Sequence, residues 1–413
     1  MPLPSLPRKA SSAQISSSLA SRSLSLMGRA SSQQNDAPAV IQECPSDPEP
    51  VQKPLFPGLK IKFSLQKLKT KFDPAPSKPL LAPHLYANVH CETDPQELDW
   101  EFYSPRWSGE LGYVLGESVD SGAFAVVHRG RKVSDPTKPL AVKVFKHGKS
   151  PKVKREIMVL HKLRGAKNIV PLLDQFYSTQ DGVPEPALVF PFLASTPWDQ
   201  CDRLMTYADF QHYMYQLLVA IDESHSRGIM HRDIKPQNIL YNHATGQLTL
   251  IDWGLGEFYL PGHDYSPYVA SQYFKAPELL LGYHYYDYGV DMWAVGCCMA
   301  SFMLRTPFVF VSKDPRYQLQ SIIQVFGYGR SFKRLQAHVG MPSHRMKGYF
   351  SDPVESLSRK EWKSFVDSDS QDRMTPEALQ LLDGLLCLDP KARLTSYQAL
   401  AHPFFDSYKQ RLA

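Results

Sequence analysis

Short runs of apolar, strand-forming residues predict strands in the region that follows residue 110. These runs are residues 113–115, 124–128 and 140–145, and the third alternates about a single Lys. In the third run the alternation places Lys143 between apolar neighbours. A turn that contains Ser121 and Gly122 separates the first two runs, so the pattern predicts a hairpin.

A period of three to four replaces the strand pattern further along the chain and predicts helices. One helix carries Glu156, and another begins after Thr206, which forms the Thr-x-x-Asp spacing of a capping box with Asp209. Thr375 and Thr395 are the predicted caps of two later helices. The periodic apolar positions of the first two helices are Val153, Ile157 and Leu160, and then Phe210, Met214, Leu217, Leu218 and Ile221.

A short polar loop interrupts the apolar pattern in the middle of the chain. The loop lies in MHRDIKPQNI, residues 230–239, and the next apolar run ends in LIDWG, residues 250–254. Transfer of a γ-phosphoryl group needs a carboxylate at the acceptor hydroxyl, a cation at the phosphate and oxygen ligands for Mg²⁺. Asp233, Lys235, Asn238 and Asp252 supply these groups in that order. Each residue alone is an ordinary loop residue, but their joint spacing predicts a phosphoryl-transfer site.

The strands and the first helix supply candidate contacts for a nucleotide. Lys143 matches the strand lysine that contacts the α and β phosphates of ATP, and Glu156 is its predicted ion-pair partner. The hairpin lacks a G-x-G-x-x-G motif, because Asp120, Gly122 and Ala125 occupy the three glycine positions. These strand and helix motifs resemble those of protein kinases, and the resemblance implies that the ATP site is lined by Val119, Gly122, Val127, Ala141, Lys143, Glu156 and Phe190.

Composition limits the class of protein. The chain has 413 residues, of which 43% are hydrophobic, and this is enough for one large folded domain with extensions. Its six cysteines show no C-x-x-C spacing, which argues against a zinc site and against a secreted disulfide framework. No apolar run approaches the roughly 18 residues that span a bilayer, so we expect no transmembrane segment.

The first 90 residues differ in composition from the rest. They contain eleven Lys and Arg against five Asp and Glu, so the net charge of +5 is concentrated there and the remainder is close to neutral. We expect a disordered, basic, Ser- and Pro-rich tail over residues 1–83. Residues 1–35, which have no acidic residue and eleven Ser, would also suit an organellar presequence, and this alternative stays open.

Within this tail, residues 60–72 interleave cations with apolar side chains. Such a segment suits a nuclear-import signal, a membrane-surface helix or a nucleic-acid contact, and equally a solvated arm that docks on the body. We expect the protein in the nucleus and cytoplasm. Because the body is close to neutral, we do not expect nucleic acid as its partner.

The two central motifs resemble the H-R-D-x-x-x-x-N and D-F-G motifs of eukaryotic protein kinases. With Trp253 in place of Phe, IDWGLGEFYLPG at residues 251–262 and YFKAPELL at residues 273–280 resemble the catalytic alpha subunit of casein kinase II, over roughly residues 84–408. The resemblance implies a two-lobed α+β kinase fold over residues 111–408. A small, mostly β N-lobe with the Glu156 helix would span about 111–193, and a larger, mostly α C-lobe about 194–408.

The resemblance also implies several internal contacts. The activation segment would follow Asp252 and end at Glu278. Residues 84–110 would dock on the kinase body through Trp100 and Phe102 and keep the kinase active without phosphorylation of this segment. Glu278 would pair with Arg393, and Asp291 would hold the catalytic loop from behind.

The activity implied by the resemblance is transfer of the ATP γ-phosphate, with Mg²⁺, to Ser or Thr hydroxyls in acidic sequence contexts. A dimer of regulatory beta subunits is the implied partner, besides the protein substrates. Tyr268 and Gln272 stand where the family has Arg, so we expect a weakened acidic preference, and His128 replaces a Phe that packs on the beta subunit. The cations expected to contact substrate are Lys149, Lys152, Lys154, Arg155 and Lys275.

A pseudokinase scaffold is the alternative interpretation. Asp120 and Ala125 in the phosphate-covering hairpin would weaken nucleotide binding, which is the feature that favours a scaffold. Pseudokinases usually lose a catalytic residue, however, and here each of them is present. We therefore favour the active kinase.

Overall fold

The computed structural model describes residues 85–108, 112–146, 151–179, 182–312, 314, 317–350, 353–366 and 368–412. The basic tail, the alternatives for residues 1–35 and 60–72, and Lys149 lie outside the described residues. Among the described helices, none combines the length and the apolar character needed to cross a membrane.

An antiparallel sheet, with five strands among the described residues, forms the N-lobe. Its strands are β1 (Tyr113–Ser121), β2 (Ala125–Lys132), β3 (Asp135–Phe145), β4 (Asp174–Ser178) and β5 (Glu185–Pro191), in the order β1-β2-β3-β5-β4. On one face Val142 and Val144 pack with Phe176 and Val189. Because side chains alternate along a strand, Lys143 points to the other face. This face turns toward the helix that carries Glu156.

The predicted hairpin is present, but its strands are longer than the apolar pattern indicated. The first strand continues to Ser121. Its pairing with β2 has register shifts between Leu115 and Ser118 and between Ser118 and Asp120, so its residues do not follow a regular alternation. The second strand begins at Ala125 and continues to Lys132. In the turn between them the Gly122 amide donates to the Ala125 carbonyl at 2.9 Å.

Helices dominate the rest of the chain. The short α1 (Pro95–Leu98) precedes the sheet, and α2 (Pro151–Lys162) carries Glu156. The predicted capping box of Thr206 and Asp209 is confirmed at the start of α4 (Tyr207–His225), and Thr375 and Thr395 cap two later helices as expected. The described helices of the C-lobe are α3 (Trp198–Leu204), α4, α5 (Pro277–Leu280), α6 (Gly289–Met303), α7 (Gln318–Phe326), α8 (Arg330–Val339), α9 (Ser343–Met346), α10 (Pro376–Leu385), α11 (Ser396–Leu400) and α12 (Asp406–Leu412).

Short strands carry the residues between α4 and α5. These are β6 (Ile229–Met230), which pairs with β9 (Glu257–Phe258), and β7 (Ile239–Asn242), which pairs with β8 (Gln247–Leu250). The loop from β6 to β7 contains Asp233, and the loop from β8 to β9 contains Asp252. The two strand pairs therefore fix both ends of the polar loops that were predicted to carry the chemistry.

Two buried polar clusters lie in the C-lobe, one of them in contact with the Asp233 loop, and both were expected. Arg393 donates to both carboxylate oxygens of Glu278, at 2.7 and 3.0 Å. Asp291 accepts the backbone amides of His231 and Arg232, each at 2.8 Å. Burial would raise the pKa of Asp291, but the adjacent His225 outweighs burial and lowers it, so the carboxylate stays ionised. Breaking a buried pair of this kind costs about 3–5 kcal/mol.

The segment of residues 85–108, here called the strap, contacts both lobes. Tyr86 donates to Asp222 at 2.9 Å, and the His90 ring lies edge-on to Phe258 with centroids 5.5 Å apart. At the N-lobe, the Tyr103 hydroxyl lies 2.8 Å from His161 Nδ1, on α2. The expectation for Phe102 was wrong, because its side chain is 61% exposed: consecutive residues of this turn point in different directions.

Candidate active site

Lys143 lies at the centre of a charged cluster built from three elements. Its Nζ atom donates to Glu156 Oε1 and Oε2 at 2.8 and 3.0 Å and to Asp252 Oδ1 at 2.8 Å, which confirms the predicted pairing with Glu156. Burial would lower the pKa of Lys143, but the two carboxylates outweigh burial and raise it. Burial likewise opposes ionisation of Asp252, yet the Lys143 ammonium lowers its pKa. Burial raises the pKa of Glu156, although the Lys143 ammonium opposes this effect. Lys143 and Asp252 are therefore held in their charged forms.

Backbone conformation brings Asp252 to the lysine. Asp252 has a left-handed backbone with φ of 59°, which is uncommon outside glycine and is a mark of functional sites. Trp253 is fully buried, and the His231 ring packs against it with centroids 4.5 Å apart. A Cβ on Gly254 would lie 3.2 Å from Glu156 and 3.3 Å from Asp252, so this glycine permits the close approach.

Asp233 is held by donors on both carboxylate oxygens. Lys235 Nζ donates to Oδ2 at 2.8 Å, and Asn238 Nδ2 reaches the same oxygen at 3.3 Å. The amide and hydroxyl of Ser271 donate to Oδ1 at 2.9 and 2.8 Å. Lys235 also donates to the Ser271 hydroxyl at 3.0 Å, so the three side chains form a closed network. Such a network fixes the orientation of a carboxylate that faces a reacting hydroxyl.

Ser271 is a functional candidate that the sequence analysis missed. It lies 38 residues from Asp233, and a single hydroxyl residue carries little signal at that separation. One feature of the sequence could have indicated its role: Ser271 is the only Ser or Thr between Pro267 and Leu281.

Asn238 and Asp252 have oxygens that suit Mg²⁺. Asn238 uses its Nδ2 atom to donate to the Asp233 carbonyl at 2.8 Å, which leaves Oδ1 without a donor among the described residues. Asp252 Oδ1 accepts a hydrogen bond from Lys143, whereas Oδ2 accepts none within the described part of the chain. The Asp252 side chain is 43% exposed. A carboxylate and an amide oxygen with open coordination positions fit an ion that shares its remaining ligands with phosphate and water.

The predicted ATP contacts lie along the hairpin and on β3 and β5. Val127 is opposite Lys143 in the sheet, and Ala141 is opposite Phe190. Val119 is 46% exposed on β1. A Cβ added to Gly122 would meet only the Ala125 carbonyl, at 3.9 Å. No protein atom therefore prevents a larger residue at position 122. The open space above the turn is consistent with the close approach of a phosphate, for which a Cβ would be an obstacle.

The cations expected to bind substrate have different environments. Lys154 and Lys275 are half-buried, and burial lowers the pKa of Lys275 against the opposing effect of nearby Asp233. Lys152 Nζ lies 3.8 Å from the ring centroid of Phe124, at the hairpin turn. Arg155 departs from the expected substrate contact, because its guanidinium donates to Glu257 and to the Gly254 carbonyl, both at 3.1 Å.

The described residues form a five-stranded lobe with a Lys143–Glu156 pair and a helical lobe. Hydrogen bonds fix the loop that carries Asp233, Lys235 and Asn238. These features together define a two-lobed phosphotransferase. Residues 113–405 match the family model of the protein kinase domain. The chain therefore belongs to the protein kinase family. Membership implies the use of ATP, usually with Mg²⁺, and protein substrates.

Proposed function

We propose that this protein is a Ser/Thr protein kinase that transfers the γ-phosphate of ATP to hydroxyls in acidic sequence contexts. The hydrogen-bond network that fixes Asp233 between Lys235 and Ser271 carries the catalytic part of the proposal. Specificity for Ser and Thr is supported by the resemblance to the casein kinase II alpha subunit.

In this proposal each charged group has one task. Asp233 orients the acceptor hydroxyl and takes its proton, and Lys235 balances the charge that develops on the transferred phosphate. Lys143, oriented by Glu156, holds the α and β phosphates. Asn238 and Asp252 would hold Mg²⁺, which when bound neutralises charge on the phosphates.

The acidic preference is supported by Lys275, which lies near Asp233 and whose side chain forms no hydrogen bond with the described residues. Lys152 and Lys154 on α2 are further candidates, and Lys149 is a proposed contact from the sequence alone. Arg155 is withdrawn from this set because of its internal partners.

Activity without phosphorylation of the activation segment is also proposed. Its support is the strap, which contacts α2 through Tyr103 and the β9 strand through His90. These contacts would keep α2, and with it Glu156, in place for Lys143.

A beta-subunit dimer as partner, and a location in the nucleus and cytoplasm, are supported by the sequence alone. At the expected beta-subunit contact, His128 Nδ1 lies 3.2 Å from the Gly116 carbonyl, so a polar side chain stands where the family has Phe. Sedimentation with a purified casein kinase II beta subunit tests this assembly.

The test of the activity uses purified full-length protein, ATP labelled at the γ-phosphate, Mg²⁺ and one acidic peptide made with Ser, Thr or Tyr as acceptor. We expect label on the Ser and Thr peptides and a lower rate when the acids are replaced by Gln. Label on Tyr alone would contradict the specificity. Nucleotide binding without any label on peptide would favour the pseudokinase.

A further inference from the structure

A second region of positive charge lies in the C-lobe, away from the catalytic loop. Residues 329–350, here called the basic segment, contain five Lys and Arg, two His and no Asp or Glu. This concentration is unusual in a chain whose body is close to neutral outside its tail. The five cations are Arg330, Lys333, Arg334, Arg345 and Lys347.

The helix α8 is amphipathic, and its cations face solvent. Phe332 and Leu335 are fully buried, whereas Arg330, Lys333 and Arg334 are exposed. Positions i, i+3 and i+4 share one side of a helix, so these three charges form a single face. After α8 the chain folds back, and the Phe350 ring packs on Phe332 with centroids 6.1 Å apart. Arg345 and Lys347, also exposed, therefore belong to the same structural unit.

The cations of the basic segment are not paired with carboxylates of the described residues. None of the five cations forms an ion pair with a carboxylate in the part of the chain that is described. Five like charges placed together without an ion-pair partner among the described residues repel one another, which costs free energy. An acidic partner would remove that cost.

The basic segment borders the elements that follow the catalytic site. The His338 ring, at the end of α8, packs against Tyr283 just beyond α5, with centroids 5.0 Å apart. Burial and nearby Tyr268 raise the pKa of Tyr349, and Arg345 opposes this effect, so Tyr349 and Arg345 lie close to the activation segment. Tyr268 is itself 91% exposed. The basic segment thus adjoins the activation segment and α5 through Tyr349 and His338.

We propose that the basic segment is a docking surface for an acidic stretch of the protein substrate, separated in sequence from the phosphorylated residue. The proposal rests on the proposed function, in that it assigns a protein substrate to this site. An acidic peptide is favoured over nucleic acid because the basic segment adjoins the activation segment of a protein kinase, whose substrates are proteins. The substrate would then be read at two places, near Lys275 and at the basic segment.

Kinetics with matched peptides test the proposal. One short peptide carries only the acceptor and its adjacent acids; two long peptides add a block of eight Glu or a neutral Gly-Ser block, joined by linkers of several lengths on either side. For the full-length protein we expect about tenfold lower KM for the Glu-block peptide than for the neutral one, since several exposed ion pairs add modest terms. The effect should shrink in high salt.

The triple variant Arg330→Gln, Lys333→Gln, Arg334→Gln should abolish this difference while leaving kcat on the short peptide within about twofold of the wild type. The control variant Arg131→Gln, Lys138→Gln, Lys167→Gln changes the net charge equally at exposed positions remote from α8 and should retain the difference. Equal KM values for both long peptides in the wild type, or equal effects of the two variants, would overturn the proposal.

A binding measurement separates this proposal from the proposed function. A labelled Glu-block peptide without an acceptor should bind the wild type by fluorescence anisotropy and bind the triple variant about tenfold more weakly. This outcome would support the docking surface even if no peptide were phosphorylated. Tighter binding of a single-stranded RNA of the same charge, lost in the same variant, would assign the surface to nucleic acid and overturn the choice of partner.

Discussion

At the scale of single residues, Asp233 is the group on which turnover should depend most. Asp233→Asn keeps the size of the side chain but removes the proton acceptor, so we expect kcat to fall at least about a hundredfold. Nucleotide affinity should stay near that of the wild type, because Lys143 and its partners are untouched. Steady-state kinetics and nucleotide titration check both parts, and a variant with unchanged kcat would remove Asp233 from its assigned role.

Ser271 offers a finer test of the same network. Ser271→Ala removes one donor to Asp233 and one acceptor for Lys235, and we expect about a tenfold lower kcat with little change in KM for ATP. Ser271→Thr keeps the hydroxyl and should restore most of the rate. If the Thr variant is as slow as the Ala variant, the hydroxyl has no positioning role.

Lys275 should give the acidic preference a pH dependence. Burial lowers the pKa of Lys275 from its ordinary value, so the side chain loses its positive charge at a lower pH than a free lysine does. The preference for acidic over neutral peptides should therefore be complete near neutral pH and decline as pH rises through the lowered pKa. The ratio of kcat/KM for the two peptides, measured between about pH 7 and pH 10, checks this. Lys275→Arg should keep the ratio constant over the same range.

At the scale of elements, Glu257 joins three parts of the catalytic apparatus. One of its oxygens accepts Arg155 of α2 and Arg232 of the catalytic loop, each at 3.1 Å. Glu257→Ala would leave two largely buried guanidinium groups without their carboxylate, so we expect lower kcat and a loss of about 2–4 kcal/mol in the free energy of unfolding. Added formate should partly restore kcat in this variant and leave the wild type unchanged. No rescue at any formate concentration, with full activity in Glu257→Gln, would show that the charge is dispensable.

The contacts within motifs could be predicted from the sequence, whereas contacts that depend on orientation could not. Lys143 lies in a strand pattern and Glu156 in a helix pattern, and each residue is the ion-pair partner that the other needs. Arg155 was expected to contact substrate with Lys152 and Lys154, but its partners Glu257 and Gly254 are 102 and 99 residues away in sequence, so the local pattern could not indicate them. The register shifts in β1 likewise depend on pairing with β2 rather than on local alternation.

At the scale of the whole molecule, the strap and the basic tail should have separable roles. Removing residues 1–80 should leave kcat/KM on a short peptide within about twofold, because a tail of that composition cannot bury enough apolar area to fold alone. Removing residues 1–92 also removes Tyr86 and His90, which contact the C-lobe, and should reduce activity and thermal stability. Equal activity of the two truncations would show that the strap contacts are dispensable. Imaging of the shorter truncation tests the organellar alternative for residues 1–35.

The position of His90 also determines when the strap can dock while the protein is being synthesised on the ribosome. The imidazole fills a slot that exists because Gly228, with φ of 73°, has no side chain: a Cβ there would lie 2.2 Å from His90 Nε2. Phe258 lies against His90, and Tyr86 contacts Asp222 and Tyr288. Each of these partners is synthesised more than 130 residues after the strap residue that it contacts. At about 5–20 residues per second, the strap must wait roughly 10–40 s outside the exit tunnel for its binding site. The C-lobe contacts of Tyr86 and His90 are therefore among the last in the kinase to form, whereas Tyr103 can reach His161 of α2 before the C-lobe has been made.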